Sequence, residues 1–260
     1  MPDLNIRGTV QVDRLGKKYT AHLFQKKVKA LSDVTFQVGK GEVFGIVGPN
    51  GAGKSSLLKI LLGFIRCSTG TVRVNGLAPT CLSSRSSIGY LPETSCLYAN
   101  LSIHEHLQFV GRVHGFTNND IRQRIKCVLR QVDLLHAGQK PVRNYSKGMA
   151  QRAALACALL CEPDILILDE PMSGLDPVGR QMMVDLIFDY NRKGNTVLFC
   201  SHILTDVERI CHRIGILNKG VLEAVIAPDD LPQPPKTMRN KSPLEAFFLE
   251  VISRNTEEKH

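Results

Sequence analysis

The chain has 260 residues, of which 43% are hydrophobic and 22% charged, and its formal net charge is +9. This composition excludes a chain that is disordered throughout, and the positive charge favours an anionic partner, whether nucleotide, nucleic acid or a membrane surface. Because no segment reaches the roughly 18 to 20 apolar residues that cross a bilayer, and residues 1–5 lack the pattern of a secretion signal, we expect a cytoplasmic protein.

The first third of the sequence predicts short strands separated by turns. Runs rich in β-branched residues lie at 10–12, 34–38 and 43–47. The last of them leads into a glycine-rich turn, and apolar residues at 57, 58, 61 and 62 then predict a helix over 55–62 with one buried face. A strand, a glycine-rich loop and a helix in this order form the arrangement that binds phosphate groups at a helix N-terminus.

The glycine-rich turn matches the phosphate-binding pattern G-x-x-x-x-G-K-[ST] at every position, with the residues Gly48, Pro49, Asn50, Gly51, Ala52, Gly53, Lys54 and Ser55. Its glycines allow backbone N–H groups to point at phosphates, and the helix N-terminus adds partial positive charge. Lys54 can reach the terminal phosphates, and Ser55 can bind magnesium. An ordinary glycine turn rarely matches the full pattern between a strand and a helix. The sequence therefore predicts a site for ATP and Mg²⁺.

Helical periodicity dominates the middle of the chain. The spacing of apolar residues predicts three helices, over 103–113, 119–132 and 146–160, and no strand is predicted between them. We therefore expect a helical subdomain at about 102–160, inserted in an α/β core.

Strands return after this helical region, in short apolar runs at 165–168, 196–200 and 214–217. Such runs are typical of strands buried on both faces of a mainly parallel sheet. The first run ends in Asp169 and Glu170, where Asp169 could orient magnesium and Glu170 could polarise the attacking water. An apolar strand that ends in two carboxylates is common by itself. Downstream of a phosphate-binding loop, the pair predicts ATP hydrolysis.

Eight cysteines are scattered singly along the chain, and several lie inside apolar runs. That distribution favours free thiols over a disulfide framework. Although Cys157 and Cys161 would share one helical face and Cys200 lies near His202, no set of four zinc ligands is complete. We therefore do not expect a zinc site.

A five-residue segment before the acidic pair resembles the signature motif of ABC-type ATPases, and it consists of Tyr145, Ser146, Lys147, Gly148 and Met149. Further matches to this family are Gln151 with Arg152, the run Ser173-Gly174-Leu175-Asp176, His202 and Tyr19. The resemblance covers about residues 10–227, and six motifs in the family's order make it specific.

The resemblance implies a P-loop NTPase core of the α/β class, with a mainly parallel sheet, an N-terminal antiparallel β subdomain and an inserted helical subdomain. The ABC ATPase domain is expected over 8–227, and a proline-rich linker over 228–242. A short helix and tail follow over 243–260, with helical spacing over 243–252. This last part is too short to bury a core of its own.

The resemblance implies roles in nucleotide binding for several residues. Tyr19 would stack on adenine, and Ser56 would join the loop in contacting the nucleotide. His202 would sense the γ-phosphate next to the catalytic Glu170. Two structural alternatives stay open, because Tyr19 could be a plain surface aromatic and His202 a buried structural histidine.

The resemblance also implies a magnesium site with one unusual ligand. Ser55, Glu93 and Asp169 would contact the ion, and Glu93 stands where the family more often has glutamine. A carboxylate at this position adds negative charge to the site.

The signature residues imply a site shared between two copies. Ser146, Lys147 and Gly148 would contact the γ-phosphate held by the other copy of a head-to-tail dimer, and Asp176 would couple the two sites. Ser146 also fits a simple helix N-cap, a role compatible with anion binding.

We therefore interpret the chain as the ATP-binding subunit of an ABC transporter, held on the inner face of the membrane by separate transmembrane permease subunits. It would pair with a second copy of itself or with a paralogue, and no nucleic acid partner is expected. The segments Tyr145–Met149 and 90–93 are similar to the ATPases of ABC-2-type exporters, which favours export of a substrate that the sequence does not identify.

Two alternatives belong to other functional classes. A soluble ABC ATPase that acts on nucleic acid or the ribosome would need a coiled-coil insertion or a second cassette, and the sequence has neither. A binding subunit with little activity is suggested by Glu93 and Lys147. The intact Lys54, Asp169, Glu170 and His202 argue against it.

Overall fold

The computed structural model describes residues 9–19, 28–235, 238 and 240–257. In these residues the chain forms nine strands, which are β1 Val10–Tyr19, β2 Val28–Val38, β3 Val43–Val47, β4 Thr69–Val74, β5 Ile88–Leu91, β6 Ile165–Asp169, β7 Thr196–Ser201, β8 Arg213–Asn218 and β9 Val221–Ile226. The same residues form eight α-helices, which are α1 Lys54–Leu61, α2 Leu82–Ser86, α3 Ile103–Val113, α4 Asn118–Gln131, α5 Lys147–Leu159, α6 Pro177–Arg192, α7 Leu204–Ile210 and α8 Pro243–Glu257. None of the described helices is both long and apolar enough to cross a membrane.

Six strands form one sheet in the order β5-β6-β7-β3-β8-β9, and β9 pairs antiparallel to β8 whereas the other neighbours are parallel. Every residue of β3, β6 and β7 is buried, as expected for strands covered on both faces. The strands predicted at 43–47, 165–168, 196–200 and 214–217 are confirmed. The mainly parallel sheet of the predicted α/β class is confirmed as well.

A second sheet is antiparallel and has the order β2-β1-β4. It confirms the predicted N-terminal antiparallel β subdomain. Its first two strands are longer than the runs predicted at 10–12 and 34–38, because polar residues continue the pairing as far as Tyr19. Register shifts interrupt β1 and hide its alternation in the sequence. The ring of Phe36 stacks on that of Phe44 with centroids 5.2 Å apart and so joins this sheet to β3 of the larger one.

The helices α3, α4 and α5 agree with the three predicted helices to within one residue at each end. Side chains define where two of them begin, since Ser102 and Thr117 each form a capping box with the acidic residue three positions later. α3 packs on both α4 and α5, and α5 packs on β5 of the larger sheet. The helical region is thereby attached to β5, the edge strand beside β6.

The carboxyl-terminal helix α8 packs against α7. Leu244 in its first turn is 0% exposed, and its N–H donates to Oε2 of Glu208 on α7 at 3.4 Å. α8 reaches Glu257 and so is longer than the helix predicted over 243–252. It adds cover to the large core instead of forming one of its own.

Parts of the predicted domain plan lie outside the described residues. These are residues 8 and 20–27 of the ABC ATPase domain, residues 236, 237 and 239 of the linker, and residues 258–260 of the tail. The boundaries of the domain, the linker and the tail stay predictions.

Replacing Leu244 by alanine should release α8 from α7. Leu→Ala at a fully buried position costs roughly 2–5 kcal/mol, and here the loss falls on one peripheral helix. We expect faster hydrogen exchange of the α8 amides, measured by mass spectrometry, with unchanged exchange in β3, β6 and β7. The matched control is Leu249→Ala on the same helix, whose side chain is 37% exposed. Unchanged exchange of α8 in Leu244→Ala would contradict the packing described.

Candidate functional site

The loop between β3 and α1 depends on its glycines. Gly51 and Gly53 have φ angles of 80° and 110°, which side chains with a Cβ rarely adopt. A Cβ at Gly53 would lie 2.6 Å from the carbonyl oxygen of Ala30, and one at Gly48 would collide with the carbonyl oxygen of Leu217. The loop therefore keeps its shape only with glycine at these positions.

Lys54 begins α1 with its side chain folded over the loop. Its Nζ donates to the carbonyl oxygen of Gly48 at 2.6 Å and lies 3.9 Å from Oε1 of Glu170, and the residue is 8% exposed. No described side chain caps the N-terminus of α1, so its first N–H groups remain available to an anion. The ammonium group and these N–H groups together fit the phosphates of a nucleotide.

The carboxylate of Glu170 is held in a fixed direction at the end of β6. The residue has a φ of 48°, an uncommon value for a residue with a side chain, and its N–H donates to the carbonyl oxygen of Cys200 at 2.9 Å. Its Oε2 accepts from the N–H of His202 at 3.2 Å and from Nδ1 of the same residue at 2.7 Å. An ionised carboxylate can only accept, so this contact places a proton on Nδ1 of His202. Oε1 remains on the side of Lys54.

The side chain of His202 is 55% exposed, so the alternative of a buried structural histidine is wrong. With Nδ1 bonded to Glu170, the ring atom left for another partner is Nε2. A phosphate oxygen would accept from Nε2 only if that atom also carried a proton.

The pKa of Asp169 is raised to about 6. Burial is the largest cause, because desolvation disfavours the charged form, and the negative charges of Glu93 and Glu170 raise the pKa further. Lys54 and Lys59 act in the opposite direction without restoring the ordinary value. The site is therefore short of positive charge, and a cation bound among these carboxylates would relieve their repulsion.

The donor set around Asp169 fits a magnesium ion. Carboxylate oxygens of Asp169 and Glu93 and the hydroxyl of Ser55 are the hard oxygen ligands that Mg²⁺ prefers. Among the described residues, no three acidic, histidine or cysteine side chains converge closely enough to hold an ion by themselves. The ion would take its remaining ligands from water and phosphate, as Mg²⁺ commonly does.

Part of the predicted nucleotide site meets in one cleft of about 540 Å³, lined by residues 28–30 and 49–56 and by Glu93, Asp169, Glu170 and His202. The lining from β2, which includes Lys29, was not among the predicted site residues. A basic run at 26–29 was the available signal, but a run of charges alone more often indicates a solvated face. Lys29 adds a positive charge to the lining of the cleft.

Tyr19 is tied to the start of α1, beside the cleft. Its Oη donates to Oγ of Ser56 at 3.3 Å, and the ammonium of Lys17 lies 5.0 Å from the centroid of its ring. The residue is 38% exposed, which leaves part of the ring open to a ligand. Stacking on adenine stays a prediction.

Six predicted nucleotide contacts are not among the residues that line the cleft, namely Tyr19, Gly48, Ser146, Lys147, Gly148 and Asp176. Ser146 caps α5 by accepting from the backbone N–H three residues later at 3.2 Å, so its predicted capping role is confirmed. Asp176 caps α6 in the same way at 2.7 Å. The side chain of Lys147 lies across Gly174, where a Cβ would collide with its ammonium group. The signature segment and the segment 173–176 thus meet outside the cleft.

Buried Gln151 connects this second group of residues to the first. Its Nε2 donates to the carbonyl oxygen of Pro171 at 3.5 Å, and Pro171 directly follows Glu170. α5, which begins at the signature segment, is thereby held against the chain that leaves the cleft.

Comparison with known proteins gives consistent matches. A family model described as ABC transporter matches residues 31–173. An uncharacterized ABC transporter ATP-binding protein of Synechocystis is 40% identical over 220 residues, which are 84% of this chain and 62% of that protein. The linearmycin resistance ATP-binding protein of Bacillus subtilis is 34% identical over 207 residues, 79% of this chain and 67% of that protein. This chain thus spans less than two thirds of the Synechocystis relative.

Solved structures give the same result for the fold. A structure described as the ATP binding subunit of an ABC transporter matches with a TM-score of 0.80 and 32% identity, and the match covers 93% of this chain and 98% of that one. The predicted P-loop NTPase core is therefore confirmed.

Replacing Glu93 by glutamine should lower the pKa of Asp169 from about 6 toward its ordinary value, because Glu93 is the first of the charges that raise it. The titration can be followed by NMR of ¹³C-labelled aspartate in the nucleotide-free protein. Glu223→Gln on β9 is the matched control and should leave the midpoint unchanged, since Glu223 is not among the groups that shift it. An unchanged midpoint in Glu93→Gln would contradict the described electrostatics.

The same shift predicts how stability changes with pH. Since the folded-state pKa of Asp169 lies above its ordinary value, its contribution to folding stability is complete below about pH 4 and is lost as the pH rises through about 6. Denaturant unfolding of the nucleotide-free protein measures the free energy of unfolding between these pH values. As the pH rises, this free energy should fall less in Glu93→Gln than in the parent.

Proposed function

Because the chain belongs to the ABC transporter family, we propose that it is the ATP-binding and ATP-hydrolysing subunit of a transporter. The observation that carries this proposal is the single cleft in which the phosphate-binding loop, Asp169, Glu170 and His202 meet. The soluble ABC ATPase acting on nucleic acid or the ribosome is the competing class. It is distinguished by its partner and not by this cleft.

Nucleotide binding uses the loop and the start of α1. The N–H groups of the loop and Lys54 bind the phosphates, and the ring of Tyr19 stacks on adenine beside Ser56. Lys54 already points across the loop and needs only to exchange the carbonyl oxygen of Gly48 for a phosphate oxygen. Mg²⁺ bound near Ser55, Asp169 and Glu93 would neutralise charge on the phosphates.

Hydrolysis uses Glu170 as the group that polarises the attacking water. One of its oxygens, Oε2, is held by two donors from His202, so the carboxylate presents Oε1 to the cleft. Oε1 accepts the proton of the water as the water's oxygen bonds to the γ-phosphorus and the bond to ADP breaks. His202 orients Glu170 through Nδ1 and contacts the γ-phosphate through Nε2.

Each site is shared between two copies of the chain, or between this chain and a paralogue. The start of α5, with Ser146, Lys147 and Gly148, presents a helix N-terminus and a cation to solvent. Neither these residues nor Asp176 line the cleft of their own copy. A second copy placed head to tail would bring these groups to the γ-phosphate bound at Lys54. ATP then joins the two copies, and hydrolysis separates them.

The transmembrane permease binds the helical region next to the cleft. Three large apolar residues of the segment 98–113 are strongly exposed, with Tyr98 72%, Phe109 69% and Val113 66% exposed. Phe109 and Val113 lie one turn apart on α3 and therefore share a face. Contact with the permease places the subunit on the inner face of the membrane, and the relative named for linearmycin resistance supports export.

Glu170→Gln should retain ATP binding and lose nearly all turnover, because the amide keeps the shape of the carboxylate and cannot accept the proton. Loss of a general base lowers the rate by about 10² to 10⁴. Steady-state phosphate release and equilibrium binding of ATP measure the two effects, with Glu223→Gln as the control that keeps the parent rate. Hydrolysis by Glu170→Gln at the parent rate would show that Glu170 is not the base.

The same variant should form a dimer that ATP holds together, since the product that opens the interface does not form. Sizing with light scattering at saturating ATP and Mg²⁺ measures this. A monomer under those conditions would count against the shared site.

Phe109→Asp should weaken attachment to membranes that contain the permease, because a charge replaces an apolar contact. Membranes made with and without the candidate permease are washed at high salt, which strips proteins held by charge alone. We expect the parent protein to be retained only on membranes with the permease, and Phe109→Asp to be washed off them. The control is Leu82→Asp, which should behave like the parent; Leu82 is 76% exposed on α2. Release of the parent regardless of the permease, or its recovery on DNA or ribosomes, would favour the soluble ATPase.

A further inference from the structure

The helices α6 and α7 start from two different functional segments and contact each other. α6 is capped by Asp176, one of the residues assigned to the contact between copies. α7 begins two residues after His202, which holds Glu170. A change in the position of one helix against the other therefore moves the dimer contact relative to the catalytic carboxylate.

In the part of the chain that the structure describes, two buried polar atoms without a hydrogen-bond partner belong to residues near the starts of these helices. Arg180 is in the first turns of α6, and Asp206 is in the first turn of α7. The Nε of Arg180 and the Oδ2 of Asp206 are both buried, and neither has a hydrogen-bond partner among the described residues. No ion pair of the described residues joins the two side chains, although the positive charge of Arg180 lowers the pKa of Asp206 more than that of Arg209 does.

Both side chains are only partly buried, yet each has one polar atom that is hidden from solvent without a hydrogen bond. Buried polar atoms are nearly always hydrogen-bonded, and buried charges are nearly always paired. Burial raises the pKa of Asp206 and outweighs the attraction of Arg180 and Arg209. Arg209 does not fill the gap, because its Nη1 donates to Oε1 of Gln181 at 3.0 Å. The starts of α6 and α7 thus hold one donor and one acceptor without partners among the described residues.

We propose that Arg180 and Asp206 form an ion pair when ATP joins two copies of the chain, and that this pair positions Asp176 relative to His202. The inference rests on the proposed function, because it concerns the ATP-bound dimer. Arg180 lies one helical turn after Asp176, and Asp206 lies four residues after His202. Closing the pair therefore fixes the two segments against each other. Both residues are positioning residues, since neither lines the cleft.

A double-mutant cycle tests the pair in the Glu170→Gln background. Arg180→Gln, Asp206→Asn and the double variant are compared for ATP affinity of the monomer and for dimer formation at saturating ATP and Mg²⁺. We expect ATP affinity to stay close to that of the parent. Each single variant should weaken dimerisation about tenfold, and the double variant should weaken it no further, because either change removes the same contact.

An exposed ion pair on the same helix provides the matched control. Arg192 and Asp189 bond at 3.3 Å near the end of α6, and Arg192→Gln with Asp189→Asn should leave dimerisation unchanged. Arg180→Lys, which keeps the charge, should recover part of the loss. If Arg180→Gln does not fold, the comparison of Arg180→Lys with Asp206→Asn and with their double variant gives the same test of additivity.

Three results would overturn the inference. Single variants that dimerise like the Glu170→Gln parent would show that the pair does not form. A double variant whose loss is the product of the two single losses would show that the residues act separately. Failure of the Glu170→Gln parent itself to dimerise with ATP would overturn the proposed shared site, whereas the first two results leave that site intact.

Discussion

The parallel pairing of β3, β6 and β7 is the constraint on which the site depends. In this register Val47 lies beside Ser201 and Asp169 beside Cys200, so the three strands end at one edge of the sheet. The phosphate-binding loop, the acidic pair and His202 each follow directly from one of these ends. Ligands of parallel α/β sheets bind at this edge, where loops leave adjacent strands. Groups far apart in sequence are thereby brought within hydrogen-bonding distance.

Charged groups in the cleft stabilise one another before any nucleotide binds. Lys54 lies between a loop carbonyl and Glu170, and Glu170 in turn accepts two hydrogen bonds from His202. Among the described residues Asp169 has no comparable partner, and burial together with the nearby carboxylates raises its pKa. In our proposal, a bound magnesium nucleotide would supply a cation and would give Lys54 phosphate oxygens in place of a carbonyl. In our account, ligand binding therefore replaces contacts that already exist and needs little rearrangement of the cleft.

Much of the core could be predicted from the sequence, because β3, β6 and β7 are continuous apolar runs and α3 to α5 have regular apolar spacing. The full length of β1 could not, because polar residues and register shifts hide its alternation. β5 has only four residues, too few for a periodic signal. Contacts such as Glu170 with His202, or the gap between Arg180 and Asp206, join elements distant in sequence. Their distances follow from packing, which local patterns do not encode.

The central claim is that one nucleotide is held by two copies of the chain, with Lys54 of one and Ser146 and Gly148 of the other. A structure of the Glu170→Gln variant with ATP and Mg²⁺ tests it most directly. Our account predicts a head-to-tail dimer in which the γ-phosphate at Lys54 lies about 3 Å from Oγ of Ser146 and from the N–H of Gly148 of the other copy. A structure in which ATP fills the cleft while Ser146 and Gly148 of every copy face solvent would contradict it.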